Sequence, residues 1–378
     1  MRKPSYLLAL LTALALVAGC SDKPAKSADK NAGADSGSAA PAPTYQWKMV
    51  TTWPKNFPGL GTSANELASA IEVMSGGRLT IKVYGAGELV GPFETFDAVS
   101  RGTAEMGHSG AYYWKGKVEA AQFFSSVPFG LTAQEMNGWL YFGGGLELWR
   151  ELYAPFGIIP FPAGNTGTQM GGWFNREINS VADLKGLKIR MPGMGGEVLT
   201  RAGATTVNLP GGEIFTALQS GAIDATEWVG PYNDLAFGLH KAAKYYYYPG
   251  WHEPGSTIEL LVNQQAYDQL PKDLQEIVAQ ATTQANLRML SEFTARNNLA
   301  LNSLINDHGV ELRAFPGEVL DELQQHAREM FSELTARDPK SAKIYQSFSQ
   351  YRDQVMQWHR ISEQAILAIR KPASEQSD

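Results

Sequence analysis

The sequence predicts an α/β protein of two similar lobes, with a ligand cleft between them and long helices after them. Three observations carry that prediction. Strand and helix patterns alternate from Tyr45 onward, a helix–glycine–strand unit occurs twice, and the last third of the chain is helical in pattern. Alternation of this kind argues for a largely parallel sheet with helices on its faces.

The folded part is expected to start near Tyr45. Ahead of it, Arg2 and Lys3 precede an apolar run from Leu7 to Val17, and then Val17-Ala18-Gly19-Cys20. A basic start, a short apolar core, small residues and a cysteine read as a lipoprotein signal over residues 1–19, with lipid on Cys20. The run is too short to span a bilayer. Residues 20–44 are rich in Ala, Ser, Asp, Lys and Pro and hold no large apolar side chain, so a disordered tether is expected there. Cys20 is the only cysteine. Once lipidated, it leaves no thiol for disulfides, zinc ligation or nucleophilic catalysis. Loss of Arg2 and Lys3 with the signal takes the formal net charge from −6 to −8. No basic stripe points to nucleic acid, and a mildly acidic body fits an exported protein.

From Tyr45 the elements follow in order. Tyr45 to Trp53 reads as a strand, and Ser63-x-x-Glu66 as a capping box that opens a helix. Leu67, Ala68, Ile71 and Met74 continue it at helical spacing until Gly76-Gly77. Leu79, Ile81 and Val83 alternate with Thr80 and Lys82, a strand pattern. A helix from Phe93 to Arg101 ends at Gly102, and a short strand leads to Gly107.

That last unit recurs. Glu94, Phe96, Ala98, Val99, Gly102 and Glu105 match Glu213, Phe215, Ala217, Leu218, Gly221 and Asp224 at a constant offset. Leu79 to Val83 and Leu187 to Met191 precede the two units as strands of similar alternation. The units therefore deliver His108-Ser109-Gly110 and Glu227-Trp228-Val229 to equivalent places. In open α/β sheets, ligands sit beyond the carboxyl ends of the strands. Thr52-Trp53-Pro54, Gly85-Ala86-Gly87, His108 to Tyr113, Arg190 to Gly193 and Glu227-Trp228 are thus expected to line one cleft.

Leu274 to Ala300 and Val319 to Ala336 read as helices. Beyond them, Ile344, Phe348, Tyr351, Val355, Trp358, Ile361, Ala365 and Ile369 form one apolar stripe over about seven turns. The stripe packs either on the lobes or on a second copy; the pattern leaves both open.

Arg190 is the sharpest candidate residue. It closes a strand whose Leu187, Ile189 and Met191 point one way, and it stands just before Pro192-Gly193. A guanidinium there matches a carboxylate bidentately, or else forms a structural ion pair. Glu227, Glu253 and Gln169 form a hard-oxygen set of the type Na⁺ or Ca²⁺ uses, although they lie far apart in the chain. Tyr112, Tyr113 and Trp114, then Trp228 and Tyr232, then Tyr245 to Tyr248 and Trp251 crowd the same regions. Packing explains such runs more often than a ligand wall does. Gly107-His108-Ser109-Gly110-Ala111 resembles the nucleophile elbow, which makes a hydrolase using Ser109 the rival reading. The elbow needs a helix directly afterwards, and Tyr112-Tyr113-Trp114 starts one poorly. Gly193-Met194-Gly195-Gly196 lacks dinucleotide-loop spacing and reads as letting a helix N-terminus approach the cleft. The six histidines (108, 240, 252, 308, 326 and 359) show no metal-ligand spacing, and there is no P-loop.

Four runs carry a family resemblance: "DLKGLKIRMPGMGGEVLTRAGA" from Asp183, "GGEIFTALQSGAIDATEWVGPYND" from Gly211, "FFSSVPFGL" from Phe123 and "YYYYPGWHEPGS" from Tyr245. The chain resembles the DctP-type solute-binding proteins of TRAP (tripartite ATP-independent periplasmic) transporters, most closely the subgroup that binds 2-oxo acids and similar monocarboxylates. The resemblance implies a two-lobed binding-protein fold. Its lobe I is 45–165 completed by part of 255–335, its lobe II is 166–254 with crossing strands, and its C-terminal helices span 271–370, the last available for dimerisation. It places the carboxylate-binding arginine on Arg190 in "LKIRMPG". It implies a Na⁺ or Ca²⁺ ion held by Gln169, Glu227, the main-chain carbonyl of Trp228, and Glu253, with no organic cofactor. Gln169, Trp228, Tyr113 and Asn165 complete the expected substrate contacts. The implied role is a non-catalytic periplasmic receptor, here lipid-anchored, that delivers a small acid to TRAP membrane subunits. A ligand-sensing module without transport is the other alternative.

Overall fold

The computed structural model describes residues 43–371. The signal over 1–19, lipidation at Cys20 and nearly all of the tether lie outside those residues. Two mixed sheets form the core of the described chain. The first runs β2-β1-β3-β10-β4, from β1 (Tyr45–Thr51), β2 (Leu79–Tyr84), β3 (Met106–Ser109), β4 (Ile158–Asn165) and β10 (Thr257–Asn263). The second runs β11-β9-β5-β8-β6-β7, from β5 (Gly172–Phe174), β6 (Lys188–Arg190), β7 (Thr205–Val207), β8 (Ala225–Thr226), β9 (Tyr245–Tyr248) and β11 (Glu311–Ala314).

Within each sheet lies the same three-strand unit, built around a central strand. With α1 (Leu60–Met74) and α2 (Thr95–Ser100), the first lobe reads β1-α1-β2-α2-β3, and β1 pairs in parallel with both β2 and β3. With α5 (Gly193–Arg201) and α6 (Gly211–Gln219), the second reads β6-α5-β7-α6-β8, and β6 pairs in parallel with both β7 and β8. The repeat is physical as well as textual. Gly102 and Gly221 both take left-handed φ values, 72° and 74°, which favour glycine. The carboxylate of Glu105 accepts the amide of Lys48 at 2.7 Å, and that of Asp224 accepts the amide of Lys188 at 2.9 Å. These bonds correct one expectation. The counterpart of β6 is β1, not the Leu79–Val83 strand, whose true partner is the shorter β7. Alternation alone carries no information about which strand sits in the middle of a sheet.

Helix α1 also differs from expectation. It starts at Leu60, with Gly59 at φ 71° as its N-cap, so Ser63 is buried inside the helix and no Ser63–Glu66 capping box forms. The tight Pro54–Gly59 turn, with Phe57 donating to Pro54 O, brings the chain in earlier than the capping motif suggests. At the other end, Gly76 and Gly77 stop the helix with positive φ as read from the sequence.

The connections 166–171 and 249–256 cross between the sheets side by side. Thr166 N donates to Ser256 O at 3.0 Å and Gln169 N to Glu253 O at 3.1 Å. Helices α3 (Ala133–Phe142) and α4 (Gly145–Tyr153) pack on the first lobe. Helix α7 (Pro231–Phe237) follows the second repeat, and α8 (Gln264–Asp268) leads into α9 (Lys272–Asn306). This last helix places Val278 and Ala285 in the core of the first lobe and Phe293 and Leu304 in that of the second. The aromatic run Tyr245–Tyr248 is packing: Tyr246 stacks on Trp173 at 4.0 Å and Tyr247 on Phe315 at 4.8 Å.

Helices α10 (Gly317–Arg337), α11 (Pro339–Ile361) and α12 (Glu363–Ile369) end the described chain. Only the first part of the apolar stripe packs on the body of the chain. Ile344 and Phe348 are buried, and Tyr351 and Val355 pack against the same core. Past them, Trp358 is 61 % and Ile361 73 % exposed, as are large parts of Ile366, Leu367 and Ile369.

Candidate functional site

The carboxyl ends of β6 and β8 meet the crossing segments in one buried cluster. Arg190 is the last residue of β6, opposite Thr226 in β8, so Glu227 follows at the next step. The Glu227 amide donates to Arg190 O at 3.2 Å, which fixes the two side chains together. Arg190 donates through Nη1 to both the Glu227 carboxylate and the Glu227 carbonyl, and through Nε to Leu209 O at 3.1 Å. Both side chains are 1 % exposed. The ion-pair reading of Arg190 therefore holds for Nη1. Its Nη2 faces Tyr113 of the first lobe, with 3.4 Å to the hydroxyl, and the guanidinium lies 5.2 Å from the Trp228 ring centroid. That leaves a donor edge on the cleft side, between two aromatic residues, where a carboxylate can be received.

Gln169 and Glu253 come from the paired crossing segments. Gln169 Nε2 donates to Glu253 Oε2 at 2.8 Å and to Thr166 Oγ1 at 3.1 Å. Burial, and next the Glu227 charge, push the Glu253 carboxyl up to about 7. Burial holds the hydroxyls of Tyr112 and Tyr113 neutral, both raised above the ordinary phenol value.

Whether these residues suit a cation can be judged from their unused atoms. Gln169 Oε1 and Glu227 Oε2 are buried without a partner. Buried carboxylate and amide oxygens are rarely left so, because an unmade hydrogen bond there costs on the order of 1–3 kcal/mol. Two carboxylates against one guanidinium also leave a buried excess of negative charge. Glu227, His252 and Glu253 offer ligand atoms that all lie within 4.8 Å of one another. Hard oxygens, surplus negative charge and orphaned acceptors fit a cation, and Gln169, Glu227 and Glu253 are the residues that would hold it.

Both lobes close over this cluster. Trp53 meets Trp228 at 6.2 Å and Tyr113 at 6.3 Å, Phe57 stacks on Phe237 at 4.1 Å, and Asn233 Nδ2 donates to Pro58 O at 2.9 Å. Gly193 lets the second lobe approach the first, since a Cβ on it would sit 3.2 Å from Tyr112 Cβ. A Cβ on Gly196, by contrast, would come within 2.3 Å of Met191 O in its own lobe. The glycine cluster is the first turn of α5 itself, which begins at Gly193.

Not every sequence candidate joins the cluster. Asn165 ends β4 with its amide on Thr257 Oγ1 at 3.4 Å and its Oδ1 accepting from Gly167 N at 2.9 Å, so these contacts belong to the crossing. Ser109 lies within β3, with Oγ 2.5 Å from Thr52 Oγ1, and a 3-10 turn at Ala111–Trp114 replaces the helix an elbow requires. His108 accepts from Trp53 Nε1 at 2.8 Å on Nδ1, and burial lowers it to about 4. The hydrolase geometry is absent at Ser109. Two residues escaped the sequence reading. His252 reaches Glu227 Oε2 at 3.6 Å, invisible because its neighbours in space come from distant segments. Asp234 accepts from Tyr246 Oη, Trp173 Nε1, Val229 N and Gly230 N, and so ties down the loop after Glu227.

Comparison with known proteins agrees with this geometry. The family described as bacterial extracellular solute-binding protein, family 7 (DctP), matches residues 49–338. A monocarboxylate 2-oxoacid-binding periplasmic protein of Nostoc sp. is 47 % identical over 321 residues, covering 85 % of this chain and 88 % of that one. A TRAP periplasmic solute-binding protein of Pseudoalteromonas atlantica, solved with bound sodium and pyruvate, is 45 % identical. It superposes with a TM-score of 0.85 over 87 % of this chain and 100 % of that one. Another, of Colwellia psychrerythraea with bound calcium and pyruvate, is 46 % identical at a TM-score of 0.84, over 86 % and 99 %. The chain belongs to the bacterial extracellular solute-binding proteins of family 7, the DctP family.

Proposed function

We infer that this protein is a periplasmic receptor that captures a small 2-oxo or 2-hydroxy monocarboxylate together with a cation and presents it to TRAP membrane subunits. The observation that carries the reading is the buried Arg190, Glu227, Glu253 and Gln169 cluster, with its orphaned oxygens and its surplus negative charge. Arg190 Nη2 pairs with the carboxylate, and Tyr113 and Trp228 flank it. Asn165 holds the crossing from which Gln169 projects. A cation on Gln169, Glu227, the Trp228 carbonyl and Glu253 would supply positive charge to the carboxylate and the adjacent oxo or hydroxy oxygen. Charge balance ties the ion to the state of Glu253, whose carboxyl is pushed up to about 7. With it ionised, one guanidinium, two carboxylates and a bound monoanion sum to −2, which Ca²⁺ neutralises. With it protonated the sum is −1, which Na⁺ neutralises.

Residues 45–165 with part of 255–335, and 166–254, are the proposed rigid lobes, with the paired crossings as hinge. Contacts from both lobes to one ligand favour the closed population. Supporting the anchor is the Val17-Ala18-Gly19-Cys20 sequence behind its apolar run. Supporting a homodimer is the exposed apolar end from Trp358 to Ile369, which light scattering on a chain truncated after 355 tests: loss of a dimer is the expected outcome.

Calorimetry of the metal-stripped protein with pyruvate, with and without CaCl₂, tests the central reading. Binding is expected only, or at least ten times more tightly, with the ion. Equal affinity in thoroughly chelated, sodium-free buffer removes the cation from the account.

A further inference from the structure

The oxygen set leaves one neighbour without an assignment. His252 is buried in the crossing segment between Trp251 and Glu253, and neither ring nitrogen has a partner. Its Nε2 lies 3.6 Å from Glu227 Oε2, an oxygen equally without a partner. That separation is too long for a hydrogen bond. Two donor atoms each about 2.1 Å from a shared ion stand roughly 3.0–3.5 Å apart, which is close to the distance found.

The ring is held in place by its surroundings. Gly195 in the first turn of α5 faces it, and a Cβ there would come within 2.8 Å of His252 Cβ and 2.9 Å of Met191 Sδ. Trp251 crosses the imidazole at 5.5 Å and 69°. A buried imidazole with both nitrogens unused, wedged beside two carboxylates, has the surroundings of a ligand rather than of a packing residue.

Carboxylate and amide oxygens alone suit Na⁺ and Ca²⁺, whereas an imidazole nitrogen draws a site toward Zn²⁺, Ni²⁺ and Co²⁺. Resting on the cation reading above, we propose that His252 is a further metal ligand, and that it lets this site bind borderline divalent ions such as Zn²⁺ as well as Ca²⁺. The oxygen donors set affinity for hard ions, and His252 sets the ratio between the two classes.

The test uses the metal-stripped full chain without any organic acid, titrated by calorimetry with ZnCl₂ and separately with CaCl₂. Going from wild type to His252→Gln, Zn²⁺ affinity is expected to fall at least tenfold while Ca²⁺ affinity changes less than threefold. Unchanged Zn²⁺ affinity, or equal losses for both ions, overturns the proposal. Co²⁺ gives a readout independent of stability. Its visible absorption bands in the wild type are expected to shift in His252→Gln and in His252→Asn, and identical spectra in all three overturn the assignment. Calcium-dependent pyruvate binding, measured on the same wild-type sample, reports the underlying cation reading separately. Its absence would remove that reading while the Zn²⁺ comparison still judges His252.

Discussion

The two βαβαβ units of this molecule share an order, a pair of positive-φ glycines and a matched carboxylate-to-amide bond, yet they meet the cleft with opposite chemistry. Where the second carries Arg190, the first has Val50; where the second has Glu227, the first has His108; where the second has Trp228, the first has Ser109. His108 is held neutral by burial, and its contacts are with Trp53. The first lobe therefore offers aromatic rings and hydroxyls, and every full charge of the cluster comes from the second lobe and the crossings. On the proposed function, one lobe would bind and the other cover. The shared topology sets where the loops go, and the side chains at a few equivalent positions differ in charge.

The comparison breaks first at its charged half. Arg190→Ala strands Glu227 and Glu253 as buried carboxylates without a guanidinium, and removing one partner of a buried pair costs about 3–5 kcal/mol. Denaturant unfolding should show that loss, and calorimetry should find acid binding weakened by at least ~100-fold. Glu227→Gln should lose cation binding as well, since it removes a proposed ligand. If Arg190→Ala bound the acid as tightly as the parent, the carboxylate would have to be sought elsewhere.

In the neutral lobe the same kind of truncation should act on stability alone. His108→Ala leaves the Trp53 indole N–H buried without an acceptor, at a cost of about 1–3 kcal/mol. Ca²⁺ affinity should stay within about threefold, because no charge of the cluster is touched. A tenfold loss of cation binding would show that the first lobe does more than cover.

A third contrast concerns buried acids. Glu259 lies in β10 of the first lobe, with Trp114 Nε1 at 2.5 Å and Tyr153 Oη at 3.1 Å as donors, and burial raises it to about 8 from an ordinary 4.5. The folded chain thus holds a proton that the unfolded chain has released throughout pH 4.5–8. Stability falls as pH rises through that window, by up to about 1.4 kcal/mol per pH unit for this one group. His108, lowered to about 4, acts in the opposite sense but only below its ordinary 6.5. Urea unfolding between pH 6.5 and 8 excludes His108 but still includes Glu253, pushed up to about 7. The acid is therefore isolated by the difference between parent and Glu259→Gln, whose slope should be flatter. An unchanged slope would mean that Glu259 is ionised in the fold.

Much of this arrangement was legible in the chain. The repeat of Glu94–Glu105 in Glu213–Asp224 located both loops, because a helix ending at a left-handed glycine must re-enter its sheet at a set distance. Arg190 was readable because a strand's period of two puts it opposite the apolar positions. What stayed hidden depends on segments distant in sequence. His252 and Asp234 become informative only once the crossings bring residues 169, 227 and 253 together. The strand equivalence was misread for the same reason, since β1 and β6 are central only by virtue of their neighbours. The start of α1 was misread because the Pro54–Gly59 turn outweighs a local capping motif.

The smallest expected effect falls on the position opposite Trp228. Ser109 spends its hydroxyl on Thr52 at 2.5 Å, deep in the first lobe. Ser109→Ala removes one buried hydrogen bond between neutral groups, worth about 0.5–1.5 kcal/mol net, and leaves Thr52 to turn toward another acceptor. Acid affinity should change less than about threefold. Trp228→Ala is the telling counterpart, because it removes the ring that lies across Arg190 and meets Trp53. Aromatic pairs are worth about 0.5–1.5 kcal/mol beyond the area they bury, so this change should exceed Ser109→Ala several-fold in affinity. Should the two substitutions weaken acid binding equally, equivalent positions would carry equal weight, and the division of labour between the lobes would be wrong.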